Sequence, residues 1–164
     1  MKKIIAIVAT AALVVSVGVG SAVARPAEQG NIVQTAVAAG KFTTLTKLLK
    51  RAGLVNALGQ PGPYTVFAPT DAAFKKVPKK TLRVLLANKA KLKAVLLYHV
   101  VSGNVTSSDV ATLTSAKTLN GKSIRIRTSG GNVFVNTSKV VTADVMATNG
   151  VIHVVNRVLL PPAR

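Results

Sequence analysis

The chain of 164 residues has no cysteine and no tryptophan, and only four acidic residues stand against 22 lysines and arginines. Without cysteine there is no disulfide frame and no thiol chemistry, so stability has to come from packing. The few aromatics (Phe42, Tyr64, Phe67, Phe74, Tyr98 and Phe134) fall mainly at core-like positions and leave few platforms for stacking bases. A metal site needs three or four converging ligands; His99, His153 and the scattered acids form no H-x-x-x-H or acidic loop. There is no G-x-S-x-G segment and no glycine-rich phosphate loop ahead of a helix. No metal, cofactor or catalytic residue is expected, and nothing argues for an enzyme.

What is present begins with a leader. Lys2 and Lys3 precede an apolar stretch from Ile4 to Val19, and Ala22-Val23-Ala24 offers small residues for cleavage ahead of Arg25. Residues 1–24 therefore read as a secretory signal peptide, cleaved rather than kept as an anchor. The rest of the chain has no second apolar run that could span a membrane. The leader also inflates the mean hydropathy of +0.42. The expected location is secreted, either extracellular or periplasmic.

The formal net charge is +18 for the whole chain, and about +16 once the leader is removed. Such a field attracts polyanions over roughly a Debye length and disfavours self-association. Outside the cytoplasm these are acidic polysaccharides, cell-surface or matrix polymers, anionic membrane surfaces and released DNA. Nucleic-acid binding would be non-specific and would weaken steeply with salt.

Residues 25–30 form a short lead-in, and residues 31–162 read as one domain. Asn31 caps a helix with Ile32, Val33, Ala36 and Val37 as its apolar stripe. Phe42 to Ala52 is a second helix with Leu45, Leu48 and Leu49 inward and Gly53 as its C-cap. Pro61-Gly62-Pro63 makes a turn into a short, continuously apolar strand, Tyr64 to Ala68. Leu82, Leu85 and Leu86, and then Leu92, Val95 and Leu96, give two further amphipathic helices with lysine-rich outer sides. After Gly103 the period changes to two: Ile124 and Ile126 point inward, Arg125 and Arg127 outward. Asn120-Gly121, Asn149-Gly150 and Ser129-Gly130-Gly131-Asn132 are hairpin signals. Helices first and hairpin-linked strands later predict an α+β fold with a largely antiparallel sheet.

Two segments carry a family resemblance. Thr65 to Phe74 reads T-V-F-A-P-T-D-A-A-F, and Asn149 to Pro162 reads N-G-V-I-H-V-V-N-R-V-L-L-P-P, with Tyr98-His99 between them. Together they resemble the signature segments of the fasciclin domain, an extracellular adhesion and interaction module. The resemblance implies a β-wedge or sandwich of mainly antiparallel strands, with the N-terminal helices packed at one end. It also implies partner-binding roles for Tyr98 and His99, and for Asp144 and Val145, where some animal members carry an integrin-recognition sequence. This chain departs from the family at Thr142-Ala143, Asn156-Arg157 and Lys41. Its basic charge belongs to the chain and not to the fold.

The individual residues have plainer expectations too. Asp71 reads as a helix cap worth about 1 kcal/mol. His99 should be buried with both ring nitrogens paired, and His153 should be a half-exposed sheet residue. Lys79, Lys80, Arg83 and Lys91 form a basic helical surface, flanked by Lys75, Lys76, Lys89 and Lys93. Arg125 and Arg127 add a β-ridge with heads about 7 Å apart. With so few acids, these cations cannot mostly be paired internally. The leading expectation is an adhesion module that engages anionic polymers. The alternatives are a carrier of an apolar ligand such as a carotenoid and, on fold-level company alone, a wall-polymer-acting enzyme.

Overall fold

A computed structural model of the chain describes residues 30–162; the leader, and with it the expected cleavage site, lies outside them. Helix α1 (Ile32–Ala38) starts at a reciprocal cap. The Asn31 side chain accepts from the Gln34 N–H at 2.9 Å, and the Gln34 side chain accepts from the Asn31 N–H at 3.0 Å. Ile32, Val33 and Ala36 are buried as expected. Val37 is not: it is 55% exposed, in the last turn beside exposed Ala38 and Ala39, where the helix runs out past the core. Helix α2 (Thr43–Ala52) buries Leu45, Leu48 and Leu49 and ends on Gly53 at φ +70°. That left-handed conformation costs little only for glycine.

The short helix α3 (Val55–Gly59) leads to strand β1 (Tyr64–Pro69). Thr70 caps α4 (Asp71–Lys75), and α5 (Lys79–Ala87) and α6 (Lys89–Tyr98) follow. Then come β2 (Val100–Ser102), α7 (Ser107–Thr112), β3 (Ser115–Lys117), β4 (Ser123–Ser129), β5 (Asn132–Val135), β6 (Ser138–Ala147) and β7 (Gly150–Val155).

The strands form one seven-stranded sheet in the order β2-β1-β7-β6-β5-β4-β3. Every neighbouring pair is antiparallel except β1 and β7, which run parallel from Tyr64↔Gly150 to Pro69↔Val155. A bridge between Val101 and Thr118 brings the β2 end round to the residues after β3, so the sheet nearly closes into a wedge. One core fills the space between α1, α2, α6 and the β1–β7 pair. A second lies within the wedge and gathers Phe67, Tyr98, Val101, Ile124, Val135, Val155 and Leu159. The expected helices-plus-antiparallel-wedge architecture is the one found.

Two elements escaped the period-two reading after Gly103 and the turn reading before Pro61, namely α7 and α3. Helix α7 opens with Thr106-Ser-Ser-Asp109, a capping-box spacing that was available in the sequence. The Asn149-Gly150 hairpin exists, but Gly150 already belongs to β7 and pairs with Ala147. Its glycine answers a different need. A Cβ there would lie 1.8 Å from the Tyr64 carbonyl oxygen, so β1 and β7 can meet only without a side chain.

Candidate interaction surface

The described carboxylates all serve helix N-termini. Asp71 sits in the first turn of α4 but accepts from the Thr43 and Thr44 N–H groups of α2, at 3.3 and 2.7 Å. The expected cap is thus real but belongs to another helix; Thr70 caps α4 itself. Asp109 accepts from the Thr106 N–H at 3.0 Å and from its hydroxyl at 2.9 Å. Asp144 accepts from the Ser107 N–H at 2.8 Å and from the Ser107 hydroxyl.

Each carboxyl is held below its ordinary range. For Asp71, burial pushes upward but the hydrogen bonds from Thr44 and Thr43 outweigh it. For Asp109 and Asp144 the bonds from Thr106 and Ser107 dominate. No lysine or arginine is among the causes for any of the three. The acids are engaged by the N–H and hydroxyl donors of helix N-termini, which leaves the exposed cations of α5 and α6 without a described carboxylate among their partners.

The basic residues singled out in the sequence fall into two groups. Lys79, Lys80 and Arg83 lie exposed on α5, and Lys89, Lys91 and Lys93 on α6, which packs against it. Lys75 ends α4 and Lys76 caps it, the Lys76 ammonium donating to the Asn156 carbonyl at 3.2 Å, away from that pair of helices. Four of these lysines (Lys79, Lys80, Lys89 and Lys91) occupy the first turns of α5 and α6, where no acid is present. Positive charge at a helix N-terminus opposes the helix dipole, at about 0.3–1 kcal/mol for each exposed charge. This arrangement does not serve the stability of the helices.

Arg125 and Arg127 stand on β4, whose neighbours are β3, β5 and α7, so they belong to a separate part of the fold. Both point outward, over buried Ile124 and Ile126, as expected. The Arg127 guanidinium lies 6.0 Å from the centroid of the Phe134 ring on the paired strand, within cation–π range.

Tyr98 and His99 are each 2% exposed. The His99 ring is closed off at both ends: Nδ1–H donates to the Val95 carbonyl at 2.7 Å, and Nε2 accepts from the Leu159 N–H at 2.9 Å. Burial pushes its pKa down to about 4, against the opposing bond to Val95. The Tyr98 hydroxyl accepts from the Asn136 side-chain amide at 3.0 Å. Neither ring offers a free face to a macromolecule; the hydroxyl end of Tyr98 alone borders an open groove.

Asp144 and Val145 lie where β6 shifts register against β7. Asp144 has φ +56°, unusual for a residue with a Cβ, and its bulge turns the carboxylate onto the N-terminus of α7. Val145 is half-buried against the first core. Beneath the bulge lies His153, expected to be half-exposed but only 1% exposed. It stacks on Phe67 with centroids 5.4 Å apart. The unbroken run Val151-Ile152-His153-Val154-Val155 was the signal: β7 is central, covered on both faces.

Ser107, Asp144 and His153 are near neighbours but do not form a charge relay. The carboxylate bonds the serine, while the histidine ring meets the Asp144 N–H at 3.5 Å and the Val105 carbonyl at 2.7 Å. A general base must reach the hydroxyl it deprotonates, and this ring is taken up by backbone. Among the described residues, no three histidines or acids are grouped to hold a metal ion. No described helix is long and apolar enough to cross a membrane. Two enclosed apolar cavities, beneath α1 and beneath α5, are each about 10 Å³, room for roughly one water.

Comparison with known proteins adds the following. Residues 40–161 match the family model described as Fasciclin domain. The protein sll1483 of Synechocystis sp. is 45% identical over 133 residues, which cover 80% of this chain and 73% of that one. Transforming growth factor-beta-induced protein ig-h3 of Sus scrofa is 37% identical over 82% of this chain, but that match spans only 20% of the much longer relative. Among solved structures, a FAS1 domain pair from the insect cell adhesion molecule Fasciclin I superposes with a TM-score of 0.64 at 21% identity. The match covers 80% of this chain and 51% of that pair.

Proposed function

The chain belongs to the fasciclin-domain family, and from that premise we propose that it is an exported adhesion or interaction module that engages anionic polymers through its basic helical surface. The observation that carries this reading is the placement of Lys79, Lys80, Lys89 and Lys91 in helix first turns that contain no acid. Charges that oppose the helix dipole are explained better by an external partner than by the fold. The described acids are turned onto helix N-termini, so they do not screen that surface.

Acidic polysaccharide or matrix polymer is the preferred partner; duplex DNA and anionic vesicles are the comparators. Carriage of an apolar ligand finds little room in the enclosed cavities of about 10 Å³, and the larger grooves of about 510 and 420 Å³ are open to solvent and mix polar with apolar residues. An enzyme acting on wall polymers would need two carboxylates free to act on a glycosidic bond, and among the described residues Asp71, Asp109 and Asp144 are all engaged at helix N-termini.

The test replaces Lys79, Lys80, Arg83 and Lys91 with glutamine and measures binding to an acidic polysaccharide across a salt series. The expected result is weaker binding with a shallower salt dependence, because fewer counterions are released. A second variant replaces Arg125 and Arg127. Attachment unchanged in the Lys79, Lys80, Arg83 and Lys91 variant would end this reading, whatever the arginine variant does.

A further inference from the structure

Away from the helical surface, an open groove of about 420 Å³ runs between β4 and the chain's last described residues. Its walls include Tyr98, Arg125, Asn136, Leu160 and Pro162. The volume lies in the usual range for small-ligand sites, about 300–1,000 Å³. Among the described residues of its lining, Arg125 is the one that carries a charge.

The polar side is built rather than incidental. Asn136 is held at φ +53° by two bonds to the Arg125 backbone: its side-chain oxygen accepts from the Arg125 N–H at 2.8 Å, and its own N–H donates to the Arg125 carbonyl at 2.7 Å. Its amide then donates to the Tyr98 hydroxyl at 3.0 Å. That hydroxyl's own hydrogen has a poor partner, the Ser123 carbonyl at 3.4 Å. Normal O–H···O bonds run to about 3.0 Å, so a ligand oxygen in the groove is a better acceptor.

The part of the lining that comes from the chain's last described residues is apolar: Val158, Leu159, Leu160 and Pro162. Leu160 is 42% exposed there, next to Pro162. The Lys122 ammonium donates to the Pro162 carbonyl at 2.9 Å and ties that wall to the sheet. One guanidinium, a fixed hydroxyl–amide pair and an apolar stretch of lining match one class of molecule. A sugar ring has hydroxyls at its rim and an apolar C–H face, and a ring carboxylate completes the set by pairing with arginine.

We propose that this groove is a subsite for one carboxylate-bearing sugar unit, of the uronic-acid type, within an anionic polysaccharide. The carboxylate sits on Arg125, a ring oxygen takes the Tyr98 hydrogen, and the ring face lies on Leu160 and Pro162. The proposal rests on the anionic-polymer reading above and adds what that reading lacks, a preference among polyanions. A duplex cannot enter a groove of this size and meets only the arginine at its rim.

The experiment titrates the full chain with a short oligogalacturonate near physiological salt, beside its methyl-esterified form and inorganic sulfate. The acidic oligomer is expected to bind, and the ester, which keeps the rings and loses the charge, to bind at least about tenfold more weakly. Arg125→Gln and Leu160→Ala should each weaken the acidic oligomer, the first by about tenfold or more. Wild-type affinity in both variants, or competition by sulfate as effective as by the oligomer, overturns the proposal.

The Lys79, Lys80, Arg83 and Lys91 glutamine variant separates the two readings. If it loses long polymer while the wild type ignores the short oligomer, the groove proposal fails and the helical surface stands. If it keeps long polymer while Arg125→Gln loses the short oligomer, the helical reading fails and the groove stands.

Discussion

Replacing Asn149 with alanine should be among the most damaging single changes in the domain. Its side chain is 8% exposed and makes three bonds to parts of the chain that are remote in sequence. The oxygen accepts from the Ile32 N–H, the first of α1, at 2.9 Å. The amide donates to the Leu58 and Gln60 carbonyls at 2.6 and 3.0 Å. Alanine leaves the Ile32 N–H and the Leu58 oxygen buried without partners, each at about 1–3 kcal/mol; Gln60 is exposed and can turn to water. The expected total is about 3–5 kcal/mol, a large share of a stability of about 5–15 kcal/mol for a domain.

Urea unfolding reads this as a lower midpoint at unchanged slope. Asn149→Asp is the informative partner variant. It keeps the acceptor for Ile32 and places a negative charge at the N-terminus of α1, which the helix dipole favours. However, it turns lone pairs onto two carbonyls. If the amide donors matter, aspartate will be no better than alanine. A loss below about 1 kcal/mol for alanine, or wild-type stability for aspartate, would refute the reasoning.

Two further outcomes follow from the core. Gly150→Ala places a Cβ 1.8 Å from the Tyr64 oxygen, and only backbone separation relieves that clash. It should cost about 3 kcal/mol or more in chemical denaturation, and a tolerated alanine would contradict the close β1–β7 approach. His99 is depressed to about 4 when folded, from 6.5, so its contribution is complete above pH 6.5 and declines as pH falls toward 4. The loss is about 1.4 kcal/mol per pH unit across that window, roughly 3 kcal/mol in all, read as the difference between the wild type and His99→Gln. Equal pH slopes for the two proteins would exclude His99 as the source.

The features legible in the sequence were the local ones. The Asn31 cap, the stripe of α2 ending on Gly53, and the alternation around Arg125 each depend on neighbours within a few residues. What could not be read depends on pairing at a distance. Asp71 was recognisable as a cap, yet nothing nearby indicates that it serves the helix starting at Thr43. His153 looked half-exposed because its burial follows from β7 lying between β1 and β6. Likewise, the groove collects Tyr98, Arg125, Asn136 and Leu160, which no spacing rule brings together.

The parallel pairing of β1 with β7 bears on how this chain comes into being. The strand that starts at Tyr64 waits for a neighbour that begins at Gly150, the last strand of the sheet. A growing chain that has not yet produced β7 leaves both β1 and β6 with an open edge and the first core without Ile152 and Val154. Contacts this distant in sequence form late and slow the folding rate. The domain therefore cannot be completed in order of synthesis, and a chain truncated before β7 should not fold into a smaller version of it.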